Sequence, residues 1–313
     1  MYVSYRKLQT LKYTTNSSGA WQSTILDNSG TTGFNSSLAV GSNNKIHISY
    51  NSQTNLKYYT DASGTGVIST IGSPVGNVAT TGSGTSIALD SSNKAHISYY
   101  NYTNGDLMYA TNSTGSWVIS TIDSVGDVGF WNSIAVDSQG YVHISYNYND
   151  GSANYQLKYA TNKTGSWVTT TIDNTGNGGI WNSIAVDNQD YVVISYGYRV
   201  SSNLKLKYAS NRSGSWMTSI IDNSTGDPGY NTSIAVDKNN KIHISHFDGT
   251  SGKLKYTTDL SGVWVNNVVD TLGPYTPSWT SIALDQNNKV HISYSSYQTI
   301  PSTLIYFKHA YQP

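Results

Sequence analysis

The chain of 313 residues contains no cysteine. Disulfide staples and thiolate metal sites are therefore excluded. It contains no glutamate either: all 18 acidic residues are aspartate. Charge is scarce at 12% of residues, and it balances to zero against 18 lysines and arginines. No basic field is present to hold a nucleic acid, and no Lys/Arg-rich tail is visible. No run of 18 apolar residues occurs, so no stretch has the make-up of a membrane-spanning helix. The segment Met1 to Thr15 reads as strand, not as a secretion signal. What is abundant is tyrosine, with 26 copies, together with Thr, Ser, Asn and Gly. That is the chemistry of β-sheets and turns. A neutral polar surface of this kind fits an extracellular or cell-surface protein.

A segment of about 48 residues recurs along the chain. Its core reads Ser-Ile-Ala-Val/Leu-Asp, then His-Ile-Ser-Tyr, then Leu-Lys-Tyr, then Trp followed by Ile-Asp. The inner motif starts at Ser37, Ser86, Ser133, Ser183, Ser233 and Ser281. Each copy carries four strand signals separated by turn residues. In one copy they are 133–137, 141–148, 155–160 and 167–173, with Asp173 to Trp181 as the link onward. Four antiparallel strands per repeat of this length predict an all-β β-propeller blade. The small Ser and Ala of the first strand suit the crowded centre. Trp21, Trp117, Trp167, Trp216 and Trp264 mark the fourth strand, at the outer edge.

Six first strands, seven second, seven third and six fourth are expected. Seven blades would leave the first without its inner strand and the last without its outer one. Six blades would leave Met1–Thr15 as a surplus hairpin. Seven is favoured, as one domain over 1–313 with blades near 1–27, 37–72, 86–123, 133–173, 183–222, 233–270 and 281–313.

The blades resemble a family of bacterial and archaeal propeller repeats reading S-L-A-L-D-x-x-G-x-x-H-I-S-Y-Y…L-K-Y-A. The resemblance is carried by Ser86–Tyr100 with Leu107–Ala110, and by Ser133–Tyr146 with Leu157–Ala160. It covers essentially the whole chain. Such proteins are grouped loosely with sialidase-like, Asp-box propellers. Here the turns Thr111–Trp117 and Thr258–Trp264 keep the Gly and Trp of that box but shift its acidic position. Sialidase chemistry, which the grouping would imply, lacks its residues: only Arg6, Arg199 and Arg212 are present, and no Glu. A shared fold does not confer function.

Asp90, Asp137, Asp187, Asp237 and Asp285 share one turn position. Asp27, Asp123, Asp173, Asp222 and Asp270 share another. Both sets read as side-chain caps of backbone turns. His47, His96, His143, His243 and His291 share a position on the second strand, with Val193 and Tyr2 in the other copies. They read as buried histidines between blades, hydrogen-bonded to a carbonyl or a hydroxyl. No cofactor is expected. Calcium is the one metal to weigh, at the oxygen-rich pairs Asp123/Asp127, Asp222/Asp227 and Asp173/Asn177.

Aromatic residues that depart from the repeat stand out. Trp131, Trp181 and Trp279 precede the first strand, where other copies carry Asn35, Gly84 and Asn231. Phe34, Phe130 and Tyr230 are neighbours. These six form the candidate ligand-binding set, at the rim of inter-blade grooves, able to stack on sugar rings. Eight Asn-x-Ser/Thr sequons occur, of which Asn16, Asn112, Asn162 and Asn211 share one turn. The expected function is a non-catalytic, lectin-like propeller that binds glycans at a cell surface or matrix, and the chain is not expected to be an enzyme. The partner would be a glycan or a surface protein. One alternative is an interaction module, with homo-oligomers forming through the incomplete terminal blades. Another is a propeller lyase or hydrolase using His, Tyr and Asp. A blade-specific polar cluster at one end of the channel would favour the enzyme.

Overall fold

The computed structural model describes residues 1–53, 55–72, 84–152, 154–272, 279–298 and 304–312. Among them the chain forms 26 strands in seven antiparallel sheets, with no helix. The fold is a seven-bladed β-propeller, as the strand arithmetic favours. Five sheets have four strands paired in sequence order, and two have three. Blade 1 consists of Tyr2–Lys7, Thr10–Thr15 and Gln22–Asp27, the second to fourth strands of the repeat. Blade 7 consists of Thr280–Leu284, Val290–Gln298 and Leu304–Gln312, the first to third. The chain divides into two compact units, residues 1–151 with 160–169, and residues 152–159 with 170–313. Each unit is built by the same rules.

In blades 2 to 7 the second strand is the core. Ile48, Ile97, Ile144, Ile194, Ile244 and Ile292, from the repeated His-Ile-Ser or Val-Ile-Ser, are all fully buried. Each contributes roughly 2–3 kcal/mol by leaving water. The fourth strand pairs on one side only. Accordingly Val67, Val118, Val168 and Met217 at its start are exposed, and burial returns only toward its end.

The small residues of the motif stitch neighbouring blades together. The Ser37 hydroxyl accepts the Ile87 N–H, Ser86 accepts Ile134, Ser183 accepts Ile234 and Ser233 accepts Ile282, at 3.1–3.2 Å. The second repeated serine does likewise with side chains of the next blade. Ser49 meets Thr85, Ser98 meets Asn132, Ser195 meets Thr232 and Ser245 meets Thr280. A larger side chain at either position would hold the blades apart.

The first strands are longer than the sequence suggests. In blade 4 the strand runs Asp127–Val136, and in blade 5 it runs Asn177–Val186. The expected link Asp173–Trp181 is therefore partly strand. A bulge makes this extension possible: Phe130 pairs with Asn147 and Ser133 with Ser145, so two residues, Trp131 and Asn132, stand opposite one. The bulged residue is left-handed, with φ of 46° at Trp131, 49° at Trp181, 47° at Asn35 and 45° at Asn231. Gly129 just before it has φ +107°, and a Cβ there would come within 2.9 Å of the Leu107 backbone.

Candidate functional site

The repeated histidines form relays inside their own blades. The hydroxyls of Tyr58, Tyr109 and Tyr256 are hydrogen-bonded to Nδ1 of His47, His96 and His243 at 2.5–2.6 Å. Nε2 of His96, His143, His243 and His291 faces a carboxylate oxygen of Asp90, Asp137, Asp237 and Asp285 at 3.2–3.6 Å. The partners belong to the same blade, and a tyrosine hydroxyl is among them, as expected. The other oxygen of each aspartate caps its turn: Asp90, Asp137 and Asp237 each accept two backbone N–H groups. Burial pushes the His47, His96 and His243 imidazoles below their ordinary value. It pushes the Tyr109 phenol up to about 12. Neutral buried groups of this kind hold turns to strands.

Blades 5 and 2 are among those that depart from the relay. Blade 5 has Val193 in place of histidine, and Arg212 reaches Asp187 instead, with Nε at 2.8 Å. Blade 2 has Gly41 in place of aspartate. His47 Nε2 is buried there with no hydrogen-bond partner. The space of the missing carboxylate is occupied by the side chains of Asn43 and Asn93.

The second aspartate set works between blades. One oxygen caps the local turn, accepting the N–H of Ser29, Val125, Thr175 or Ser224 at 2.9–3.1 Å. The other crosses to the next blade. Tyr50, Tyr146, Tyr196 and Tyr294 donate to Asp27, Asp123, Asp173 and Asp270 at 2.7 Å. Lys57 and Lys207 add ion pairs to Asp27 at 3.0 Å and Asp173 at 2.6 Å, and Lys255 pairs with Asp222. In blade 6, His246 replaces the tyrosine and is fully buried between Pro228 and Thr257. Between blades 2 and 3 both charges are absent: Gly72 stands for the aspartate and Met108 for the lysine. The carboxylates weighed for calcium are thus directed at protein donors. Among the described residues, no group of three or more His or Asp side chains could hold a metal ion.

The predicted aromatic set is distributed. Trp181 packs on Tyr230 with centroids 4.5 Å apart. Phe34 is covered by the Arg6 guanidinium at 3.7 Å. Trp279, before the first strand of blade 7, is 51% exposed. Phe130 packs between Trp131, at 5.8 Å, and Tyr100, at 4.1 Å. Asparagine tolerates a left-handed bulge, while tryptophan there costs roughly 1 kcal/mol or more. Strain of that kind gathers at functional sites.

Beside Phe130 and Trp131 lies a cluster that no other described blade repeats. The Tyr100 hydroxyl donates to the Asp127 carboxylate at 2.7 Å. Asn149 approaches the other Asp127 oxygen at 3.5 Å. Burial, the bond to Asp127, and the negative charges of Asp127 and Asp106 together push the Tyr100 phenol far above its ordinary value. It therefore remains a proton donor at neutral pH. Asp127 and Asp106 are half-buried. Tyr102, 41% exposed, meets Tyr100 edge-on at 6.1 Å. Elsewhere the position of Tyr100 holds Asn51, Asn147, Gly197 or Phe247, and that of Asp106 holds Asn55, Gln156, Lys205 or Lys253. Sequence reasoning by repeated positions passed over Tyr100 and Asp106. Their departure from the repeat is the signal that marks them.

No family model matches the chain, and no curated protein matches it. Solved structures do. AofleA from Arthrobotrys oligospora is 11% identical with a TM-score of 0.60, over 89% of this chain and 85% of that one. The α-L-arabinanase of Penicillium chrysogenum, complexed with arabinobiose, is 11% identical with a TM-score of 0.58, over 90% and 93%. The GH93 α-L-arabinofuranosidase of Fusarium graminearum, complexed with arabinobiose, is 10% identical with a TM-score of 0.54, over 89% and 92%. At such identity the likeness establishes the fold. The expectation of a non-catalytic glycan-binding propeller that is not an enzyme is corrected to this extent: solved structures that share the fold over most of the chain are an α-L-arabinanase and an α-L-arabinofuranosidase, which favours the alternative of a propeller enzyme over it. A repeated scaffold is no argument against a single catalytic centre. The chain is a β-propeller whose fold is shared with carbohydrate-cleaving enzymes.

Proposed function

We propose that this protein is a propeller enzyme that hydrolyses a glycosidic bond in a polysaccharide, at the cluster of Tyr100, Asp106 and Asp127. The observation that carries the reading is the pairing of two half-buried carboxylates around a hydrogen-bonded tyrosine, beside a strained aromatic wall. Glycoside hydrolysis needs two carboxyl groups flanking the bond, one to protonate the departing oxygen and one to act on the sugar side. Asp127, oriented by Tyr100 and Asn149, supplies the sugar-side carboxylate. Asp106 supplies the proton. Phe130, Trp131 and Tyr102 offer faces on which a sugar ring stacks. The α-L-arabinanase and α-L-arabinofuranosidase among the neighbours of the fold make arabinan the first substrate to try. A polysaccharide substrate agrees with a place of action outside the cell or at its surface.

The test is release of reducing sugar from arabinan and a panel of other plant and microbial polysaccharides. Asp127→Asn and Asp106→Asn should each lower kcat by about 100-fold or more. Tyr100→Phe should lower it less, because it frees Asp127 to rotate without removing a carboxylate. Full activity in both aspartate variants, or no cleavage by the folded wild-type protein across the panel, would sink the reading.

A further inference from the structure

Blade 7 ends its histidine relay differently from the others. Where blades 2, 3 and 6 carry Tyr58, Tyr109 and Tyr256, it carries His309. Nδ1 of His291 and Nε2 of His309 are 3.1 Å apart. The two rings are within 8° of parallel with centroids 5.3 Å apart, so they meet through their nitrogen edges rather than face to face. His291 Nε2 lies 3.5 Å from the Asp285 carboxylate. The relay is also open to solvent. The His291 side chain is 23% exposed and that of Asp285 34%, against 2% and 0% for His143 and Asp137 in blade 4. His309 is exposed as well.

We propose that His291 and His309 form a two-imidazole site for a divalent transition metal of the zinc or copper class, independent of the sugar-cleaving site. At Zn–N distances of about 2.0–2.1 Å, two ligand nitrogens on a tetrahedral ion stand roughly 3.3–3.4 Å apart. The observed separation differs from that by a few tenths of an ångström. Near-parallel rings meeting at their edges let one ion approach both ring planes. Asp285 completes the arrangement from behind: a carboxylate that receives the far N–H of a ligating histidine fixes its tautomer and raises its basicity. The tyrosine of the other blades cannot play this part, because a buried phenol keeps its proton near neutral pH. Without metal, His309 Nε2–H donates to His291 Nδ1. On binding, that proton moves to His309 Nδ1 or to solvent, and water fills the remaining coordination positions. Imidazole sites of this type favour copper over zinc.

The experiment is calorimetric titration of the intact protein with Zn(II), and electron paramagnetic resonance of its Cu(II) complex at neutral pH. Wild-type protein should bind one ion per chain, and the copper spectrum should show coupling to two imidazole nitrogens. His309→Tyr installs the residue found at this position in the six other blades and should abolish the site. Asp285→Asn should weaken binding by about 10-fold or more. Unchanged affinity in His309→Tyr, a copper spectrum without two nitrogen couplings, or no binding by wild-type protein would overturn the proposal.

Discussion

The buried pair Asp173–Lys207 lends itself to a double-mutant test, and the molecule already carries one version of it. The side chains are 1% and 9% exposed, with Nζ and Oδ2 2.6 Å apart. Burial would raise the Asp173 carboxyl, but hydrogen bonds from Lys207, Thr175 and Tyr196 outweigh it and hold the group below its usual value. Lys207→Met removes the ammonium and leaves the carboxylate buried, which costs about 3–5 kcal/mol. Asp173→Asn keeps one oxygen, for the Thr175 N–H now on Oδ1 or for the Tyr196 hydroxyl now on Oδ2, and strands the lysine at a similar cost. The double variant removes both charges, and replacing a whole buried pair is often close to neutral, within about 1–2 kcal/mol. A coupling energy of several kcal/mol is therefore expected from urea unfolding followed by tryptophan fluorescence. Between blades 2 and 3, Gly72 and Met108 replace aspartate and lysine together, as this energetics demands. Additive losses, with the double variant as unstable as the two singles summed, would refute the argument. The wild-type pair stabilises the fold above the unfolded aspartate value, and that contribution fades as pH falls through the lower folded one.

His246 offers a test of opposite origin. Burial pushes its imidazole down to about 4, so the folded protein takes up its proton only far below the unfolded chain's value near 6.5. Between those two values only the unfolded chain holds the proton. Stability should therefore fall by roughly 3 kcal/mol as pH drops from about 6.5 to 4, at about 1.4 kcal/mol for each pH step of one. His246→Tyr, the residue of the neighbouring blades, should flatten that part of the stability-versus-pH curve, and an unchanged slope would exclude His246 as its source. Gly41→Asp restores the missing acceptor for buried His47 Nε2. If Asn43 and Asn93 swing aside, nuclear magnetic resonance titration should show the His47 imidazole raised, and no change would mean the carboxylate does not reach it. Gly129→Ala should destabilise by about 2 kcal/mol or more in thermal melts, since its left-handed φ and the Leu107 backbone leave no room for a methyl group. A neutral result would show that the bulge rearranges.

The proposed site was partly visible in the sequence. Phe130 and Trp131 drew notice because an aromatic residue broke a repeated position. Tyr100 and Asp106 break the pattern equally, but a tyrosine in a tyrosine-rich strand and an aspartate in a turn resemble their surroundings. Asp127 was weighed with Asp123 because they are near in sequence. The structure separates them: Asp123 receives Tyr146, and Asp127 receives Tyr100 of the preceding blade. The histidines were legible as buried and hydroxyl-bonded. Their aspartate partners were not, because a relay across six residues of chain on one side and 11 to 13 on the other needs the register of three strands.

The repeat in the sequence placed the strands and favoured seven blades over six; the sheets of the folded chain decided for seven, with three described strands in the first blade and three in the last. Strand periodicity and turn residues act over a few positions, so a repeated local pattern is enough to specify a repeated sheet. Tertiary structure alone decided the bulge that lengthens the first strands, the ion pairs that cross between blades, and the meeting of Tyr100 with Asp127. Those depend on side chains 23 to 34 residues apart being brought within hydrogen-bond reach. Only the packing of one blade on the next does that.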